Sequence, residues 1–401
     1  MNPQMKNLFT SVKNAIHGTN EPLENPDFDI IFELAVKQSL LPIVYEGCFE
    51  DVEFKKYNDR IKVMDSAYSV LSFQSKRTEA FDDIYSKFLE NGIKPLILKG
   101  LLCRSLYGEL SDHRASSDED ILIQPKDYEI AEKTLIDNGF IIEDGYVARK
   151  NLSKVQEVTF FNQEKKLSIE LHFNFTGGNI KLLQKINNYF DNVFDDVVTF
   201  EYDGKIYYTL EYTKNYIYLF FHLCKHFITS GVGLRQIIDL MMFEKIYSRY
   251  IDWNKVENVL KDISLWGLYG DVIAIGNKYL GFEFSRGESI DPEMLIDDIE
   301  QSGIFGNLNT SQFMSSAFIT AAFDHNKKSS RFRMLFPPLE VMRHHDSVLC
   351  DKQWLLPFVW GKRIIKYIPI FFSTRKRSVI IEADKIAQKR IQLLKKYNIN
   401  M

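Results

Sequence analysis

Three carboxylates in this chain have the types and spacing to do chemistry: Asp118 and Asp120, separated by Glu119, and Glu170, which lies two positions before His172. In an extended strand, residues two apart project to one face, so Asp118 would point with Asp120 and Glu170 with His172. Two carboxylates on one face repel unless a cation sits between them, and hard oxygen donors suit Mg²⁺ or Mn²⁺. A third carboxylate on a neighbouring strand would complete a site for one or two such ions gripping a triphosphate. Upstream, Leu98-Lys99-Gly100 closes an apolar run, and Arg114 opens an Arg-x-x-x-Asp-x-Asp stretch. Taken singly, each piece also has a plain structural reading: a solvated acidic loop, an edge-strand charge, a strand-to-helix turn.

The elements that must position these residues follow from the apolar spacing. From 27 to 90 the pattern is helical: Phe28 to Leu40 repeats at three- and four-residue steps and Pro42 closes the run, then Met64 to Leu89 continues to an Asn91-Gly92 stop. The period then changes. Pro95 to Leu98 and Ile121 to Ile123 read as buried strands, Gly100 to Tyr107 as a short helix, and Lys126 to Asn138 as an amphipathic helix. Val158 to Phe161 and Leu167 to Phe173 read as two further strands. Helical spacing returns after Tyr212, with Asn215 to Phe227, Leu234 to Tyr247 and a helix capped at Asp252, and a break is expected at 329–338. The fold class expected is therefore α+β: a helical region over 1–90, a mixed-sheet unit over 91–210 and a helical domain over 211–401.

The order strand, Lys-Gly, helix, Arg, Asp-x-Asp strand, helix, Glu strand resembles the nucleotidyltransferase fold of the DNA polymerase beta superfamily. More narrowly it is similar to a bacterial nucleotidyltransferase family with a Leu-Lys-Gly turn, an Arg-x-x-x-Asp-x-Asp strand and a later acidic-Leu-His strand. Here these are Leu98-Lys99-Gly100, Arg114 to Asp120, and Glu170-Leu171-His172. The resemblance extends to His222, Lys225-His226 and Leu234 to Asp239, and more weakly to Phe336 to Glu340 and Trp354 to Pro357. It implies metal-dependent transfer of a nucleotidyl group from an NTP, ATP being the expected donor, to an unidentified acceptor. Asp118 and Asp120 would hold Mg²⁺ or Mn²⁺, and Glu170 would complete the second metal site or act as base on the acceptor. Lys99, Gly100, Arg114 and His172 would meet the nucleotide. Two departures stand out: the superfamily prefers Gly-Gly or Gly-Ser where this chain has Gly100-Leu101, and an apolar residue where it has Glu119. They motivate a second reading, a scaffold without turnover that binds nucleotide or a partner protein.

His222 and His226 share a helix face, as do Arg235 and Asp239. Such a His pair can ligate zinc, but no HExxH pattern accompanies it. The expectation is a buried His–Arg–Asp network that docks the helical half, with Lys225 or Arg235 able to reach phosphates. The stretch from Gly361 to Lys396 is strongly basic, with Glu382 and Asp384 as its only acids. It reads chiefly as a solvated helical face; binding an RNA acceptor is the alternative.

The composition bounds the rest. The 401 residues carry 50 Lys+Arg against 54 Asp+Glu, which argues against a dedicated nucleic-acid coat protein. With 31 Phe, 20 Tyr and 4 Trp there is material for more than one core. The four cysteines form no CxxC pair, so neither a structural zinc nor a disulfide scaffold is expected. The first residues lack the apolar run of a secretory leader, and Trp354 to Phe372 is interrupted by charge, so a cytoplasmic protein without a membrane span is expected.

Overall fold

The computed structural model describes residues 1–142, 156–176, 185–229, 231–302, 352–362 and 374–399, together with isolated positions between them. The expected break at 329–338, Cys350 and the middle of the basic stretch lie outside the described residues, Phe336 excepted.

Helices α1 (Pro3–His17), α2 (Phe28–Lys37), α3 (Leu41–Cys48) and α4 (Val52–Lys56) precede the long α5 (Arg60–Glu90). The run expected to continue to Pro42 ends at Lys37, and Ser39 turns with a positive φ of 51°. Pro42 instead lies in the first turn of a new helix, where its missing N–H costs nothing. Helix α1 is absent from the sequence reading, although Asn2 accepts from Gln4 N–H and Pro3 opens the first turn. α1 packs closely on α3: a Cβ at Gly47 would sit 2.6 Å from the Ser11 carbonyl carbon.

Strand β1 (Leu96–Ile97), helix α6 (Leu101–Ser105), β2 (Asp118–Leu122), α7 (Tyr128–Asp137), β3 (Ile141–Ile142), β4 (Glu157–Asn162) and β5 (Leu167–His172) form the mixed unit. The five strands order as β1-β2-β5-β4-β3. β2 and β5 run parallel, and the other neighbours are antiparallel. One face carries Ile121, Ile169, Leu171, Val158 and Phe160, all buried. The alternate positions of the same strands carry Asp118, Asp120, Glu170, His172 and Glu157, so the period of two separates core from site. A hairpin, β6 (Val197–Tyr202) and β7 (Lys205–Leu210), leads into α8 (Tyr212–Thr229).

Then come α9 (Leu234–Tyr247), α10 (Trp253–Asp262), α11 (Trp266–Leu280), α12 (Pro292–Ser302) and α13 (Thr374–Lys396). Asp252 caps α10 by accepting from Lys255 N–H. The helices at the start of the chain pack on those after the sheet. His17 Nε2 bonds the Leu280 carbonyl at 2.8 Å, and buried Gln38 donates to the Ile299 carbonyl while accepting from Leu234 N–H. In the basic stretch, Arg390 pairs with Asp298 and Lys396 with Asp291, so part of its charge faces acids of α12 and the loop before it. Among the described residues, no helix is long and apolar enough to cross a membrane.

Candidate active site

Parallel pairing of β2 with β5 sets Asp118 opposite Ser168, Asp120 opposite Glu170 and Leu122 opposite His172. The two acidic motifs, far apart in sequence, thus meet side by side. On the other flank of β5, β4 places Glu157 opposite His172. Helix α8 covers this face: Tyr218, His222 and Lys225 follow one another at helical spacing, so they share the surface turned to the sheet.

Asp120 is the hub. Lys99 Nζ lies 3.0 Å from its Oδ2 and His172 Nε2 lies 3.1 Å from its Oδ1. Burial alone would raise this carboxyl, but the charges of Lys99 and His172 hold it well below the usual carboxylate range. Lys99 Nζ also lies 2.9 Å from His222 Nε2, and His226 Nε2 lies 3.3 Å from the same atom. Burial and the adjacent Lys99 push His222 and His226 down, the latter to about 3, so both rings are neutral. An ammonium only donates, so His222 Nε2 accepts from Lys99 and carries its proton on Nδ1. Lys99 stays charged and raised, because Asp120, Asp118 and Glu170 outweigh its burial.

His172 goes the other way. Burial favours the neutral ring, yet the bond to Asp120 and the charges of Glu157 and Glu170 raise it to about 10. Its Nε2 is 3.5 Å from Glu170, and its Nδ1 is 3.4 Å from Glu157. Glu170 is pushed up to about 7, first by burial and then by Asp120, Glu157 and Asp118, with the His172 bond working against them. Among the described residues, Asp120, Glu170 and His172 form the group whose ligand atoms lie within 4.8 Å of one another. Asp118, expected as a ligand, stands outside that set at the half-buried rim, accepting from Ser117 Oγ at 3.0 Å.

The Gly100 turn differs from the expectation of an open phosphate cradle. Gly100 has φ 57° and ψ −109°, a conformation suited to glycine, and a Cβ there would sit 2.7 Å from the Glu119 carboxyl carbon. Glu119 points away from Asp118 and Asp120, accepts from Leu101 N–H at 2.8 Å and pairs with Arg104 at 2.6 Å, both side chains being buried. The residue between the two aspartates is thus an internal counter-ion that holds the turn. Arg114, expected at phosphate, is buried and bidentate to Asp239, with Nε–Oδ1 at 3.1 Å and Nη2–Oδ2 at 2.6 Å. The Tyr107 hydroxyl donates to the same carboxylate at 2.8 Å. Arg235 donates to the Ala115 carbonyl, and Lys225 Nζ lies 4.0 Å from Glu157.

Sequence reasoning passed over Glu157, Tyr218, Arg104 and Arg77. The alternation of β4 would have placed Glu157 with Thr159 on one face, and Tyr218 lies one turn before His222. Tyr218 is buried on the helix face above the carboxylates, its hydroxyl without a partner among the described residues. No local signal marks Arg104 or Arg77, whose partners are distant in sequence.

Neither a curated protein nor a solved structure gave a match to the chain. A family described as uncharacterised nucleotidyltransferase matches residues 24–277, from the second helix through the sheet and its acidic face into the helices that cover it. With more than half its length in that match, and its acidic strands paired side by side, the chain belongs to this nucleotidyltransferase family.

Proposed function

We propose that the protein transfers a nucleotidyl group from a nucleoside triphosphate, with ATP the expected donor, to an acceptor hydroxyl or phosphate. The observation that carries this reading is the register that sets Asp120 beside Glu170, with Lys99 and His172 on the same carboxylate. The donor set suits a divalent cation such as Mg²⁺ or Mn²⁺: the carboxylate oxygens of Asp120 and Glu170 converge within 4.8 Å on one sheet face. Asp120 would hold it, with Asp118 at the rim and Glu170 beside them as the base. When bound, such a cation neutralises charge on the triphosphate and on departing pyrophosphate.

The remaining steps fall to the chain. Glu170, at about 7, is poised to accept a proton near neutral pH. It takes the proton of an acceptor hydroxyl as that oxygen bonds to the α-phosphorus. The bond from the α-phosphorus to the bridging oxygen breaks in line, and pyrophosphate leaves with the electron pair. Lys99, fixed by His222, keeps Asp120 ionised and oriented throughout. The test is a screen of acceptor classes with Mg²⁺ and each NTP, following pyrophosphate release. Folded protein that neither binds nor turns over any NTP would overturn the reading.

One observation favours the second reading, a binding scaffold without turnover. Asp120 is already neutralised from within by Lys99 and His172. Calorimetry separates the two: Mg²⁺-dependent NTP binding lost in Asp118→Ala and Asp120→Ala supports the enzyme, and Mg²⁺-independent binding supports the scaffold.

A further inference from the structure

Of the cations expected to meet phosphate, Lys99 is paired with Asp120 and Arg114 with Asp239. Glu119 holds the Leu101 N–H at the glycine turn, Arg104 pairs with Glu119, and Arg114 pairs with Asp239. Two other arginines reach the loop that leads into Asp118. Arg77 of α5 donates to the carbonyls of Ser116 and Ser117, and Arg235 of α9 donates to the carbonyl of Ala115. The buried guanidiniums of Arg104, Arg114 and Arg390 each lie against a carboxylate. Arg77 and Arg235 have none among the described residues, and the Nε of each is buried without a partner.

Arg235 is the sharper case, being only 6% exposed. A buried guanidinium with a single carbonyl partner forgoes most of its hydration and gains little in return. Burial and repulsion from Arg114 both disfavour its charge, and the nearby Asp239 and Asp118 do not make up the difference. The N-terminus of α9 does not explain the arrangement, since the Gly233 and Leu234 N–H groups are held by Gln236 and Gln38. A guanidinium fork left in this state matches phosphate oxygens.

We infer that Arg235, with Arg77 on the same loop, forms a polyphosphate site at the Asp118 end of the acidic face, in place of the glycine turn. It would take the β- and γ-phosphates of the donor nucleotide, which leaves the α-phosphorus toward Asp120 and Glu170. The anion site stands on two guanidiniums with no carboxylate against them among the described residues, whereas its use for a nucleotide rests on the nucleotidyl-transfer reading.

The test is calorimetry of the full chain with inorganic tripolyphosphate and Mg²⁺, at two salt concentrations. Arg235→Met should weaken binding at least tenfold and flatten its salt dependence, with an unchanged circular dichroism spectrum. Arg235→Lys keeps a donor for the Ala115 carbonyl but loses the fork, so it should fold as the wild type and bind about five- to tenfold more weakly. A folded Arg235→Met that binds tripolyphosphate as the wild type does would overturn this inference and leave nucleotidyl transfer standing. If the methionine variant does not fold, undiminished affinity in Arg235→Lys overturns it equally. Wild-type protein that binds tripolyphosphate but no NTP would remove the nucleotide and keep the anion site. Wild type that binds neither removes both.

Discussion

Glu170 and Asp120 are neighbours across one strand pair, yet their carboxyls are driven in opposite directions. Asp120 faces Lys99 and His172 and stays ionised, while Glu170 is raised to about 7 by burial and by the three acids around it. Separated proton affinities of this kind suit one carboxylate to hold charge and the other to move a proton. The raised Glu170 has a consequence for stability. Between its ordinary value and about 7 the folded protein binds more protons here than the unfolded chain does. Its contribution is therefore full below the ordinary carboxylate range and is lost as pH rises through 7. Metal-free Glu170→Gln should gain roughly 1–3 kcal/mol at pH 8, at ~1.4 kcal/mol per tenfold change in proton affinity, and little at pH 4.5. Urea midpoints in EDTA measure this. Mg²⁺ should raise the wild-type Tm, and the variant should lose most of that gain together with turnover. A variant less stable at pH 8 would mark Glu170 as a structural hydrogen-bonding partner. At the same scale, Tyr218→Phe should leave Tm unchanged or slightly raised, because the hydroxyl it removes has no partner among the described residues. A Tm lowered by several degrees would show that the hydroxyl is bonded within the fold.

At the scale of elements, buried ion pairs join apolar contacts in holding the turn between β1 and α6 and the loop before β2. Gly100→Ala would force a Cβ into the Glu119 carboxylate and a side chain into a positive-φ conformation. The backbone term alone is ~1–2 kcal/mol, and displacing Glu119 from Arg104 adds to it, so a loss of at least ~3 kcal/mol is expected. Gly100→Ala within 1 kcal/mol of wild type in denaturant melts would contradict this packing. The Arg114–Asp239 pair joins the loop before β2 to α9 across the boundary between sheet and helices. Removing either partner leaves a buried charge, so Arg114→Met and Asp239→Asn should each cost roughly 3–5 kcal/mol. The double variant should cost much less than their sum, since it leaves neither charge unpaired. Strict additivity would show that the two side chains do not act as a pair.

Across the whole molecule, the helices at the start of the chain are part of the scaffold behind the site. Gln38, at the end of α2, links that helix to two later ones, donating to the Ile299 carbonyl of α12 and accepting from the N–H that opens α9, the helix bearing Arg235 and Asp239. Gln38→Leu would leave a buried donor and a buried acceptor unsatisfied, at ~1–3 kcal/mol each. The expected result is a Tm lowered by several degrees and faster hydrogen exchange at the start of α9. Unchanged exchange there would indicate that the two helical groups open independently. The basic stretch fits the same description where it is described, with Arg390 and Lys396 meeting Asp298 and Asp291.

What the sequence determined by itself is what depends on local period and residue type. The alternation around Asp118-Glu119-Asp120 and Ser168 to His172 was enough to put three carboxylates on strand faces, and the 3.6-residue spacing was enough to find α5, α8 and α9. The order of these motifs was enough to suggest the family. Only the tertiary structure decided which of them meet. Strand pairing between β2 and β5 is a long-range choice, and a slip of one residue would have turned Glu170 away from Asp120. Ion-pair partners are equally non-local: Arg114 and Asp239, Arg104 and Glu119, and Lys99 and His222 are read as pairs only once the chain has folded. That is why Arg114 read as a phosphate ligand and Arg77 went unseen. Charge shows in a sequence, whereas the partner that neutralises it is set by packing.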